Sequence, residues 1–383
     1  MSKWEMVRLG DIGRIVTGST PKTSEKLNYA SGDLNFFKPS DFNEEIINLL
    51  TRSENLISEY ARSQSRVLPP QSVLVTCIGI IGKIGITLFE STCNQQVNAI
   101  IPDMGVCIPS FIAYAISRKK GEMNRIANAA VVPIINKSRF SDIQISLPPL
   151  HIQRRIAEVL DRVSLLITWR KQQLEELDLL IKSRFVEMFG EALDETQAEL
   201  KDSCKIITDG THQSPKFTSE GIPFLFVSNI VNGNIDYETE KFISHEEYET
   251  LIQRTPIEIG DILLTIVGSY GNPAIVKTDK EFCFQRHIAY LKPKHTLFVS
   301  EYLHAALQIG YVKDQIERRV KGIAQKTLNL SELKAIRVNI PPLPLQNAFA
   351  DFVRQTGKSK VEIKQSLEQL ELQYAALMQE YFG

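Results

Sequence analysis

Two stretches of this sequence limit the folds open to it. Residues 147–160 read "LPPLHIQRRIAEVL" and residues 340–353 read "IPPLPLQNAFADFV". The second begins 193 residues after the first, so that Pro148 and Pro149 recur as Pro341 and Pro342, and Gln153 recurs as Gln346. In both, a proline pair stands directly before apolar residues at helical spacing. Such a match in a chain of 383 residues implies duplication.

The rest of the copy follows in order. "RLGDIGRIVTGSTPKT" near the start faces "ELKDSCKIITDGTHQSPK" from residue 199, each an apolar run that ends in a Gly/Thr/Pro loop. "LNFFKPSDF" from residue 34 faces "IPFLFVSNI" from residue 222, both reading as a short buried strand and a polar turn. "VLPPQSVLVTCIGIIGKIGI" from residue 67 matches "RTPIEIGDILLTIVGSYGNPAI" from residue 254, with Gly79 and Gly268 at equivalent places. Gln95 and Gln285 come next, then amphipathic helices from near Ser110 and Ser300. Strands with turns and one late helix predict an α+β fold, a globule of about 150 residues made twice.

The late helices carry a heptad seam. Steps of four and three residues from Ile156 give Leu160, Val163, Ile167, Arg170, Leu174, Leu177, Ile181, Arg184 and Met188. The same steps in the copy give Phe349, Val353, Thr356, Lys360, Ile363, Leu367, Leu370, Tyr374, Leu377 and Tyr381. Each seam is apolar at eight of its ten positions. A seam of this length spans roughly 57 Å at 1.5 Å per residue, longer than a globule of about 150 residues is wide. The spacing therefore predicts that the helices pair antiparallel under a pseudo-twofold axis, with globules at 1–150 and 191–343 and spacer helices at 151–190 and 344–383. Prolines can precede a helix but not continue one, so the pairs fix the exit from globule to rod.

Other classes are excluded in turn. With 43% hydrophobic residues the chain can build real cores. No apolar run is long enough to span a bilayer and "MSKWEMVRLG" lacks a signal-peptide core, so a cytoplasmic protein is expected. Cys77, Cys93, Cys107, Cys204 and Cys283 include no C-x-x-C pair and read as buried, reduced thiols. Around "GIIGKIG", Cys77 and Ile84 stand where a phosphate loop needs Gly and Ser or Thr, so the stretch reads as a glycine-relieved strand bend. "HEEY" lacks a second metal-binding histidine, and "GNPA" has Ala274 where amino-methyltransferases place an aromatic residue. No catalytic, cofactor-binding or metal-ligating residues are predicted.

The formal net charge is only -1, so any polyanion site must be local. Residues 117–140 hold Arg118, Lys119, Lys120, Arg125, Lys137 and Arg139 against Glu122, a local +5. Residues 311–326 hold Lys313, Arg318, Arg319, Lys321 and Lys326 against Asp314 and Glu317, a local +3. Beside them lie polar loops with side chains suited to phosphates and base edges. In the first half these supply Gly18, Ser19, Thr20, Lys22, Lys38, Ser40, Lys83, Gln95, Gln96, Asn98, Asn136, Lys137 and Arg139. In the second they supply Thr211, His212, Gln213, Lys216, Ser228, Asn229, Ser269, Tyr270, Asn272, Gln285, Arg286, Lys321, Gln325 and Lys326. The scaffold corresponds between copies while these loops differ, so two globules on duplex DNA would read different sequences.

These residues resemble the specificity subunits of type I restriction-modification systems. The likeness covers essentially the whole chain and is carried by "TGSTPKT", by "DGTHQSPKFTSEGIPFL" and by the two "PPL" junctions followed by Gln and a long helix. It implies two target recognition domains, separated by an antiparallel two-helix coiled coil, on a bipartite and asymmetric double-stranded DNA sequence. It further implies a non-catalytic subunit on which two modification (methyltransferase) subunits and two restriction subunits assemble. S-adenosylmethionine, ATP and Mg would then serve those partners. One departure is Ser19 and Thr20 against Thr211 and His212, so equivalent base contacts are not expected. A coiled-coil scaffold, or the specificity subunit of a related defence or orphan methylation system, is the alternative.

Overall fold

A computed structural model describes residues 4–30, 32–127, 132–190, 196–322 and 326–383. It packs as two compact units: residues 1–173 with 363–383, and residues 174–362.

The first unit is built on a five-stranded sheet in the order Gly13–Thr17, Val97–Pro102, Val73–Thr76, Ile84–Thr87, Asn48–Leu50. Val73–Thr76 and Ile84–Thr87 are buried at every position, as β-branched runs become when both faces are covered. A three-stranded sheet accompanies it, with Leu34–Phe37 antiparallel to Leu56–Ile57 and parallel to Ser91–Cys93. Met6–Arg8 pairs Gln144–Ser146.

The second unit repeats this plan. Cys204–Asp209, Ile288–Pro293, Ile262–Thr265 and Pro273–Ile275 form its larger sheet. Ile222–Leu225 lies antiparallel to Phe242–Ile243 and parallel to Cys283–Phe284, and Gln197–Glu199 pairs Arg337–Asn339. Where the first unit adds Asn48–Leu50 to its sheet, the second folds Ile230–Val231 and Asn234–Ile235 into a separate hairpin.

The proline pairs lead into two helices of 40 residues each, a central helix Leu150–Phe189 and a C-terminal helix Leu343–Phe382. Each unit takes its core from the start of one and the end of the other. In the first unit Ile156 and Leu160 join Phe111, Tyr114 and Met378, with Phe111 and Phe382 rings 5.3 Å apart. In the second, Phe349 meets Phe189 at 5.6 Å, and Phe185 stacks on Tyr302. Within the first unit Lys171 Nζ lies 3.0 Å from Glu371, and Arg170 Nε donates to Ser366 Oγ at 3.1 Å. Within the second, Lys360 Nζ meets Asp178. The order along one helix reverses along the other, so the packing is antiparallel. All twenty seam residues, the four polar ones included, are buried or half-buried. Residues 363–383 pack with the first unit, where Met378 joins the buried core and Tyr374, Leu377, Tyr381 and Phe382 pack against it.

Candidate nucleic-acid interface

The strand register decides which loops meet. In the first unit Thr17 pairs Asn98, and Thr76 pairs Val97, so one edge of the sheet carries the loops after Thr17 and Thr76 and the one before Val97. Asn94 N–H bonds Phe37 O, which brings the Lys38–Asp41 turn there, and Ile135 N–H bonds Cys77 O, which brings in residues 132–137. In the second unit Asp209 pairs Ala289 and Thr265 pairs Ile288, so the loops after Asp209 and Thr265 and the one before Ile288 share an edge. Gln285 N–H to Leu225 O and Leu328 N–H to Ile266 O add the remaining two. The loops singled out by sequence thus converge on one sheet edge, twice.

Both edges are framed alike. Gly18 N–H bonds Val97 O at 3.0 Å and Ser19 N–H bonds Cys93 O at 2.9 Å, while Gly210 and Thr211 do the same with Ile288 O and Phe284 O at 3.2 and 3.1 Å. A Cβ on Gly18 would lie 2.1 Å from Asn94 O, and one on Gly210 2.2 Å from Phe284 O, so only glycine permits this approach. The glycine stretch that mimics a phosphate loop is a strand connection: Gly82 and Lys83 N–H bond Thr76 O and Oγ1, as Gly271 and Asn272 N–H bond Thr265 O and Oγ1.

The chemistry on the two frames differs. In the first, Thr20 Oγ1 donates to Gln95 Oε1, and Arg66 Nη1 donates to Thr17 O at 2.6 Å. In the second, Asp209 replaces Thr17, and its carboxylate holds both Arg254 and His212, the latter at 2.9 Å. Arg66 and Arg254 anchor the equivalent loops and were missed in sequence, where only the matched "SR" and "QR" before the next strand mark them.

The exposed candidates are Thr20, Lys22, Ser40, Gln95, Asn136, Lys137 and Arg139 on the first edge. On the second they are His212, Gln213, Lys216, Ser228, Ser269, Asn272, Arg286, Lys321 and Lys326. Ser19, Lys38, Gln96, Thr211, Tyr270 and Gln285 are half-buried. Three of the predicted contacts need correction: Gly18, buried with its N–H on Val97 O, and the amides Asn98 and Asn229. Asn98 is 1% exposed and Asn229 7%. Asn98 accepts from Thr17 Oγ1 and donates to Ile135 O, and Asn229 donates to Asp236 O and Glu238 O, so both brace loops from within. Lys83 is largely spent on Phe42 O and Glu44. Gln325 lies outside the described residues.

Among the described residues no group of three His, Cys, Asp or Glu is placed to hold a metal ion. The five cysteines are buried thiols, each pushed up to about 12 by burial. No described helix is long and apolar enough to cross a membrane.

Comparison with known proteins agrees with this arrangement. Residues 1–179 and 195–372 each match the family model described as "Type I restriction modification DNA specificity domain". The chain is 25% identical over 377 residues to the MjaIX specificity subunit of Methanocaldococcus jannaschii, covering 92% of this chain and 86% of that one. It is 25% identical over 361 residues to the EcoBI specificity subunit of Escherichia coli, covering 83% and 75%. Its fold matches the type I S subunit of M. genitalium with a TM-score of 0.62 at 15% identity, over 100% of this chain and 96% of that one. A second solved chain, described under complex assembly and conformational transition of the type I R-M system, matches with a TM-score of 0.54 at 16% identity, over 99% and 97%.

Proposed function

The chain belongs to the type I restriction-modification DNA specificity family, and we propose that it reads a bipartite, asymmetric duplex target, one half-site per sheet edge. The observation that carries this reading is one frame built twice with different side chains: Thr17, Thr20 and Gln95 on one, Asp209, His212 and Arg254 on the other. Equal frames give equal approach to a groove. Unequal side chains present different donors and acceptors to base edges, so the two half-sites differ. Exposed Lys22, Lys137 and Arg139 on one edge and Lys216, Arg286 and Lys326 on the other would take the phosphates.

In this reading the subunit is non-catalytic and works in the cytoplasm. Two modification subunits, using S-adenosylmethionine, and two restriction subunits, using ATP and Mg, assemble on its helices. Exposed apolar residues outside the seam support such docking: Leu165, Leu166 and Trp169 in the first unit, Leu179, Leu180 and Val186 in the second. Selection from a pool of degenerate duplexes, with the modification subunit present, tests the proposal. Two short motifs separated by a fixed number of unspecified bases are expected; a single contiguous motif overturns it.

A further inference from the structure

The loop joining Val73–Thr76 to Ile84–Thr87 ends in an apolar tip that the fold does not use. Ile81 is packed inside, but Ile80 is 55% exposed. Gly79, at φ 75°, turns the tip outward, and a Cβ there would meet nothing within 4 Å. Gly79 N–H bonds Pro133 O at 3.1 Å and Ile78 bridges Ile134, which brings Val132 and Ile134, 42% and 44% exposed, to the same place. The surroundings are basic and polar: the Lys120 side chain runs beside Gly82, and Asn136, Lys137 and Arg139 follow in the adjoining segment.

We propose that Ile80, flanked by Val132 and Ile134, reads the 5-methyl group of a thymine in the half-site bound by the first domain. This rests on the duplex-DNA reading above. Lysines around an apolar tip suit a polyanion, because they take the phosphates and leave the tip for the groove floor. In the major groove each base pair offers donors and acceptors, and thymine alone adds an apolar methyl. An isoleucine gains from covering that group and gains nothing from the polar edges. The equivalent tip in the second domain is Ser269–Tyr270 beyond Gly268, at φ 74°, with Lys326 Nζ 5.8 Å from the Tyr270 ring centroid. That tip is polar and aromatic, so the methyl contact belongs to the first half-site.

Once selection with the full chain and its modification subunit has given the target, each thymine is replaced singly by deoxyuridine, which removes only the methyl. One thymine of one half-site should lose about fourfold in affinity, the change that matches withdrawing one methyl-sized group from an apolar contact. Ile80→Ala should abolish that sensitivity with an unchanged urea midpoint, since the side chain lies on the surface; Tyr270→Phe should preserve it. A bipartite target with no thymine-sensitive position, or sensitivity that survives in Ile80→Ala, overturns the inference. So does loss of subunit assembly in Ile80→Ala without thymine sensitivity, which would make the tip a protein contact. Failure to select any bipartite target overturns the DNA reading itself, at the earlier step.

Discussion

Gln153 and Gln346 show how much a single side chain contributes at the junctions. Gln153 Oε1 accepts from Ile108 N–H at 3.0 Å, and its Nε2 donates to Val106 O and Pro148 O at 3.0 and 2.8 Å. Gln346 makes the same three bonds with Val299, Leu297 and Pro341, each at 2.8 Å. Both amides are fully buried and tie the first turn of a long helix to the loop before a globule helix. Gln346→Leu would strand three backbone groups and should cost on the order of 3 kcal/mol or more in urea unfolding. His304 supplies a pH dependence. Burial lowers its pKa from 6.5 to about 4, with Nε2 against Pro273 O and Lys277 nearby. An imidazole held neutral in the fold stabilises fully above pH 6.5, and that contribution is lost as pH falls toward 4. Denaturation between these values should show a loss approaching about 3 kcal/mol that His304→Gln lacks. At this scale sequence gave partial sight. The paired glutamines stood out because they recur at a fixed offset, but Asn98 and Asn229 look like surface amides until their partners are placed.

The helices were the most legible elements, because seam spacing survives even where Arg170, Arg184, Thr356 and Lys360 interrupt it. Arg170 reaches across to Ser366 and Lys360 to Asp178 on the facing helix, while Thr356 Oγ1 donates to Phe352 O within its own. Burial along the seam is uneven. Leu160 is fully buried and Leu174 half-buried, so Leu160→Ala should cost about 3 kcal/mol and Leu174→Ala clearly less by chemical denaturation. Trp169→Glu touches no seam position; it should leave unfolding unchanged and weaken association with the modification subunit in sedimentation. The helix pair can also be tested as a ruler. Ile156, Leu160 and Phe349 are core residues of the globules, so an insertion belongs at the mid-points, after Gln173 and after Glu362. One heptad in each keeps the seam and adds about 10 Å. Selected targets should then show a gap wider by about three base pairs.

For the whole molecule, duplication carried the legibility. Repeats revealed two α+β globules and their matched loops, because a copied scaffold must keep its glycines and its strand order. Pairing of distant strands was not legible, since nothing local sets Asn48–Leu50 parallel to Ile84–Thr87 in one copy while no such strand joins the larger sheet of the other among the described residues. Nor was the assignment of residues 363–383, whose Tyr374 and Phe382 pack on Tyr114 and Phe111, far earlier in the chain. That assignment has a consequence in time. The second unit is one continuous segment, residues 174–362, while the first is split around it. On the ribosome the globule that begins first is therefore completed last, waiting for Tyr374, Met378 and Phe382 to reach Tyr114 and Phe111. In stalled nascent chains of increasing length, protease resistance should come to the later-made globule before the earlier one. Through that interval the young chain exposes an unfinished apolar core, and its yield should fall if the last segment is delayed.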